Sequence, residues 1–179
     1  MSSRLILVTG GCRSGKSDFA RRLVEDVDGE RYFLATSPVL DEETADRVRR
    51  HREERDGSEW HTIEEEVEVA RALAAAPPQA AVLLDCLTLW VNNLMYRGES
   101  SGGWPDEDTV AARAAELAAA ARNRDGLFVA VTNEVGLGVV PENAAARRFR
   151  DLAGRVNQTL AAASDEAYFL ISGLARRIK

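Results

Sequence analysis

The chain has little cysteine, no excess of positive charge and no long apolar run. Only Cys12 and Cys86 are present among 179 residues. Two lone cysteines argue against a structural metal site and against a disulfide framework. Both follow predicted strands that the pattern places side by side, so a single disulfide is conceivable. Free thiols are the ordinary state in a cytoplasmic chain. With 23 basic against 29 acidic residues the net charge is −6, which speaks against non-specific nucleic-acid binding. No apolar stretch approaches the length that spans a bilayer, so no transmembrane segment is expected. A first strand beginning at Leu5 leaves no room for a signal peptide, and a cytoplasmic location is expected. No internal repeat, linker or second core is visible, so residues 1–179 read as one domain. Hydrophobic residues at 45% and charged residues at 29% are the proportions of a globular chain that can bury a sizeable core.

What is present begins at once. Leu5 to Thr9 is a short apolar run, long enough for one buried strand. Gly10-Gly11-Cys12-Arg13-Ser14-Gly15-Lys16-Ser17 then fits the G-x-x-x-x-G-K-[ST] phosphate loop. Asp18 to Val27 reads as the helix that the motif requires after it. Glycines let the backbone curl so that several N–H groups face one anion, and the helix N-terminus adds its positive dipole end. Lys16 is placed to reach the β- and γ-phosphates, and the Ser17 hydroxyl to ligate Mg²⁺. A nucleoside triphosphate ligand is expected.

Tyr32 to Ala35 is a second short strand, followed by Thr36-Ser37-Pro38. In an open α/β sheet ligands sit beyond the carboxyl ends of the strands. Thr36 and Ser37 therefore either offer hydroxyls to the nucleotide or form a plain Ser-Pro turn. Asp41 to Glu54 reads as a helix with an acidic start and a basic later half. Arg47, His51 and Arg55 recur at intervals of four, near one face. Arginine forks match phosphate oxygens, and cationic neighbours favour a neutral imidazole, which is a competent nucleophile toward phosphorus. Composition alone favours the plainer reading, a solvated charged helix. Thr62-Ile63-Glu64-Glu65 resembles a capping box and predicts a helix to about Ala75, with Glu64 at its start. Ala81 to Asp85 is an apolar strand ending in aspartate, the position that holds Mg²⁺ in phosphate-loop enzymes.

Leu87 to Tyr96 predicts a helix and Arg97 to Pro105 a polar loop. Asp106 to Arg124 predicts an alanine-rich helix ended by Asp125-Gly126. Leu127 to Val131 is a further strand, leading through Thr132-Asn133-Glu134 into a glycine-rich loop. Glu134 is placed there to meet a hydroxyl or a cation. A long helix is predicted from Pro141 to about Ala163. Its buried stripe is Ala145, Phe149, Leu152, Val156 and Leu160, and Arg147, Arg150 and Asn157 share a polar face. Ala167 to Ile171 is the last predicted strand. Strands alternating with helices imply an α/β fold with a mainly parallel sheet and helices on both faces, of the phosphate-loop NTPase (RecA-like) kind.

Four stretches together resemble one family: TGGCRSGKS, RVRRHREER with a tryptophan after it, LLDCLTLWVNN, and TNEVGLGVVPENAAARRFRDLAGRVNQ. The chain is similar, from Leu5 to Lys179, to the bifunctional adenosylcobinamide kinase / adenosylcobinamide-phosphate guanylyltransferase family of cobalamin synthesis. Cys12 stands where many relatives have alanine, a small change. The resemblance implies ATP- or GTP-dependent phosphorylation of adenosylcobinamide. GMP is then transferred from GTP through a covalent guanylyl-histidine. The family histidine lies in an H-R-x-x-R motif, here His51-Arg52-Glu53-Glu54-Arg55. The resemblance thus makes His51 the nucleophile, against the plainer reading. It implies GTP contacts from the phosphate loop, from Ala35-Thr36-Ser37, from the run Arg52 to Arg55, and from Glu64 and Asp85. It implies a corrinoid substrate, an expected Mg²⁺ on Ser17 and Asp85, and a trimeric homo-oligomer.

Overall fold

The computed structural model describes residues 3–37, 60–100 and 102–179. The apolar runs become the strands of one sheet: β1 (Arg4–Gly10), β2 (Arg31–Ala35), β3 (Trp60–Glu64), β4 (Ala81–Asp85), β5 (Leu127–Val131), β6 (Glu166–Ile171) and β7 (Leu174–Arg177). Their order is β3-β2-β4-β5-β1-β6-β7. All neighbours are parallel except β6 and β7, which form an antiparallel hairpin at the edge. Among the described residues the helices are α1 (Lys16–Glu25), α2 (Val69–Ala75), α3 (Leu87–Ser100), α4 (Glu107–Arg122) and α5 (Ala144–Ala163). The expected α/β architecture is present.

Strand alternation divides the core in two, because successive side chains leave a strand on opposite faces. Leu5, Leu7, Leu34, Leu84 and Phe128 face one side and pack with α2 to α5. Ile6, Val8, Leu83, Val129 and Val131 face the other, against Ala20 and Val24 of α1. The central strands are apolar on both faces, as parallel strands covered by helices must be.

Several expectations are corrected. Thr62 to Glu64, expected to open a helix, close β3 instead, and the helix that ends at Ala75 as expected begins only at Val69. Trp60, Thr62 and Ile63 suit an extended edge, and the segment pairs in register with β2 from Arg31↔Trp60 to Ala35↔Glu64. The apparent capping box fails because Glu65 turns its carboxylate onto the next turn, accepting from the Val67 and Glu68 N–H groups at 2.8 and 2.9 Å. The strands leading to Cys12 and Cys86 are not neighbours. β5 lies between β1 and β4, and both cysteines are free thiols. Helix α3 runs on to Ser100, through part of the predicted loop. Helix α5 starts at Ala144 rather than Pro141, because the Asn143 side chain caps it by accepting from the Ala146 N–H at 3.0 Å. Ala167 to Ile171 is not the last strand, because Leu174 to Arg177 pairs back on it as β7. Asn157 is buried, not on a solvated face. The predicted helix from Asp41 to Glu54 lies outside the described residues.

Candidate active site

The carboxyl ends of the parallel strands share one rim, and the phosphate loop leaves it from β1. Gly10 has φ 151°, and a Cβ there would lie 2.4 Å from the Leu170 carbonyl oxygen of β6. Only glycine fits so close to a backbone. Arg13 at φ 54° and Gly15 at φ 89° also take left-handed conformations. Such reversals curl a loop into an anion cradle. The β6–β7 turn supports the cradle from outside: the Gly173 N–H donates to the Ser14 carbonyl at 2.9 Å. Lys16 begins α1 and is buried, with its ammonium donating to the Gly11 carbonyl at 2.5 Å. Burial lowers its pKa, against the raising effect of Asp85, Cys12 and Cys86. The ammonium is thus folded onto the loop that a polyphosphate would fill. Ser17 follows in the first turn, half-buried.

Three of the residues implied by resemblance stand in one row. Ala35 pairs with Glu64 on one side and with Asp85 on the other. Glu64, expected at a helix start, therefore closes β3 at the rim. Asp85 closes β4, within electrostatic reach of Lys16. Thr36 is at the rim but buried. Its hydroxyl donates to the Cys86 carbonyl at 2.9 Å and accepts from the Cys86 N–H at 3.0 Å. Ser37 follows it, half-buried. His51, Arg52, Glu53, Glu54 and Arg55 lie outside the described residues.

The end of β5 completes the rim between β1 and β4. Asn133 donates to the Thr88 hydroxyl at 2.9 Å. Glu134 donates its N–H to the Gly10 carbonyl at 3.1 Å, and its carboxylate accepts from the Thr9 hydroxyl at 3.0 Å. Asn157 of α5 reaches the same carboxylate at 3.0 Å. Sequence reasoning missed Asn157, Asn93 and the Gly173 turn. Asn157 was findable: it follows Val156 and precedes Leu160 by three, inside the apolar stripe. Asn93, buried in α3, ties the Thr36 carbonyl at 2.7 Å and the Glu66 carbonyl at 3.0 Å. No local signal marks the Gly173 contact.

A glycine-rich loop after the first strand of a parallel sheet, a buried lysine at the following helix and an aspartate ending a nearby strand define a phosphate-loop nucleotide-binding fold. Comparison with known proteins takes this further. The family described as cobinamide kinase / cobinamide phosphate guanyltransferase matches residues 6–178. The bifunctional adenosylcobalamin biosynthesis protein CobU of Escherichia coli is 42% identical over 98% of this chain and 99% of its own length. The protein of the same description from Salmonella typhimurium is 44% identical over the same shares. The bifunctional adenosylcobalamin biosynthesis protein CobP of Pseudomonas aeruginosa is 33% identical over 97% of this chain and 96% of its own. The chain belongs to the cobinamide kinase / cobinamide phosphate guanyltransferase family, as its motifs implied.

Proposed function

We propose that this enzyme phosphorylates the aminopropanol hydroxyl of adenosylcobinamide with ATP or GTP and then guanylylates the product through His51. The observation that carries the reading is the folded phosphate loop with Lys16 drawn into it, in a chain matched almost end to end by the family. The loop amides and the α1 N-terminus receive the polyphosphate. Lys16 supplies a fixed positive charge to it, at low reorganisation cost because the side chain is already packed.

The residues present fit Mg²⁺. The Ser17 hydroxyl in the first turn of α1 and the Asp85 carboxylate at the end of β4 are hard oxygen donors at the rim. A magnesium ion in such enzymes takes one or two protein oxygens and completes its shell with phosphates and water. Ser17 and Asp85 would hold it, and it would neutralise phosphate charge.

In guanylyl transfer a neutral His51 nitrogen attacks the α-phosphorus of GTP. The N–P bond forms and the bond to pyrophosphate breaks. The phosphate of adenosylcobinamide phosphate then attacks the same phosphorus, releasing His51 and giving adenosylcobinamide-GDP. Splitting the transfer lets pyrophosphate leave before the large second substrate arrives. The resemblance supports Ala35, Thr36, Ser37, Glu64 and the run Arg52 to Arg55 as further nucleotide contacts. It also supports a cytoplasmic trimer as the working form.

Incubation with α-labelled GTP and Mg²⁺ should leave label on the protein in an acid-labile, base-stable bond. His51→Ala should abolish that label. A folded wild-type protein that takes up no label would eliminate guanylyl transfer through histidine and leave a simple kinase.

A further inference from the structure

Glu134 occupies a central place at the rim. It follows β5, which lies between the strand feeding the phosphate loop and the strand ending in Asp85. Its backbone is pinned to the first glycine of the loop by the bond from its N–H to the Gly10 carbonyl at 3.1 Å. Its side chain is held as firmly. The Thr9 hydroxyl and the Asn157 amide both donate to Oε1, each at 3.0 Å. Among the described residues no hydrogen bond falls on Oε2.

Asn157 is itself locked. The Thr132 hydroxyl donates to its Oδ1 at 2.7 Å, which commits the other end of the amide to donating. That end, Nδ2, reaches Glu134 Oε1 and the Asn133 carbonyl at 3.2 Å. A buried asparagine satisfied at both ends orients a carboxylate without cancelling its charge, as an arginine would. Asp85 is differently placed, within electrostatic reach of the Lys16 ammonium. Two carboxylates on adjacent strands thus have separable duties.

We propose that Glu134 is the proton acceptor of the kinase step and that Asn157 is the positioning residue that aims it. The assignment rests on the kinase reading above. The acceptor hydroxyl oxygen attacks the γ-phosphorus while its proton passes to Glu134 Oε2. The bond from that phosphorus to the β,γ-bridging oxygen breaks, and its electron pair leaves with the nucleoside diphosphate. Glu134 then returns the proton to solvent.

The test measures phosphorylation of adenosylcobinamide with whichever of ATP or GTP the wild-type enzyme uses. Glu134→Gln should lower kcat by about 100-fold or more, the usual worth of a general base, with the KM for nucleotide held within about threefold. Asn157→Leu keeps the volume and removes the amide. It should lower kcat by about tenfold, but should add nothing in the Glu134→Gln background, since both changes disable one unit. A merely structural Asn157 would lower kcat in both backgrounds. A Glu134→Gln enzyme with kcat within about threefold of wild type, or one that no longer binds nucleotide, would overturn the assignment. Additive losses would overturn the role of Asn157. Should Glu134→Gln not fold, Glu134→Asp, with the charge withdrawn by one methylene, carries the same comparison. A folded wild-type protein with no kinase activity would instead refute the parent reading.

Discussion

Thr36 and Cys86 hold each other across the rim by two hydrogen bonds through one side-chain oxygen. The Thr36 hydroxyl donates to the Cys86 carbonyl at 2.9 Å and accepts from the Cys86 N–H at 3.0 Å. They lie just beyond the paired residues Ala35 and Asp85. The pair therefore fixes the backbone on which Asp85 is carried. Thr36 was expected to turn its hydroxyl toward a nucleotide or to sit in a turn; the fold commits that hydroxyl to the protein.

Thr36→Val should remove both bonds at nearly constant volume and leave the Cys86 N–H unsatisfied, while the Cys86 carbonyl keeps the bond from the Trp90 N–H at 3.1 Å. A loss of about 1–3 kcal/mol is expected, from the cost of one orphaned donor. Urea unfolding reads it. Thr36→Ser, which restores the oxygen, should recover most of the stability.

Gly10→Ala tests the close approach of the phosphate loop to β6. The added carbon would lie 2.4 Å from the Leu170 carbonyl, at a φ of 151° that side chains avoid. The nearest obstruction is the Leu170 backbone of a paired strand, which has little room to yield. Nucleotide affinity should fall by about 100-fold or more, the scale of about 3 kcal/mol, with a lowered melting temperature. Gly11→Ala is the control, because no heavy atom lies within 4 Å of a Cβ there.

Lys16 is held in place at a cost to the fold. Burial lowers its pKa from the ordinary 10.5, so the folded state disfavours its charge. Below the folded pKa the side chain is charged in both states and the desolvation opposes folding. Lys16→Met should therefore raise the melting temperature while abolishing both phosphoryl and guanylyl transfer. The gain should be largest below the folded pKa and shrink as pH rises through it toward 10.5. Equal melting temperatures at all pH values would contradict this.

Glu166 carries the opposite sign. The Tyr168 hydroxyl donates to it at 2.6 Å, and Arg4 and Arg177 are its ion-pair partners. These hold its carboxyl below the usual range, the Tyr168 bond contributing most. The stabilisation is complete above the unfolded carboxylate pKa of about 4.3 and is lost as pH falls through the lower folded value. Glu166→Gln should cost about 1–3 kcal/mol at pH 7. The gap to wild type should close in acid. Chemical unfolding at pH 7 and pH 3 gives both values.

The phosphate loop, five of the seven strands and the acidic ends of β4 and β5 were legible because each is written in consecutive residues. Glu64 was legible as a residue but not as a position. The run Thr62 to Glu65 satisfies the local pattern of a helix start, and only pairing with β2 makes it strand. The same holds for Leu174 to Arg177, whose exposed side chains, two apolar and then two basic, give no alternation to read. His51 was found by resemblance and lies outside the described residues.

By itself, then, the amino-acid order determined the chemistry at hand: a glycine cradle, a lysine, a hydroxyl and carboxylates ending apolar strands. Those signals are local, set by steric freedom at glycine and by side-chain period. Tertiary structure alone decided the neighbours. It inserted β5 between β1 and β4, separating the two cysteines, and set the β6–β7 turn beneath the cradle. It also buried Asn157 against Glu134. Strand order and side-chain partnership depend on contacts far apart in the chain, and no window of consecutive residues contains them.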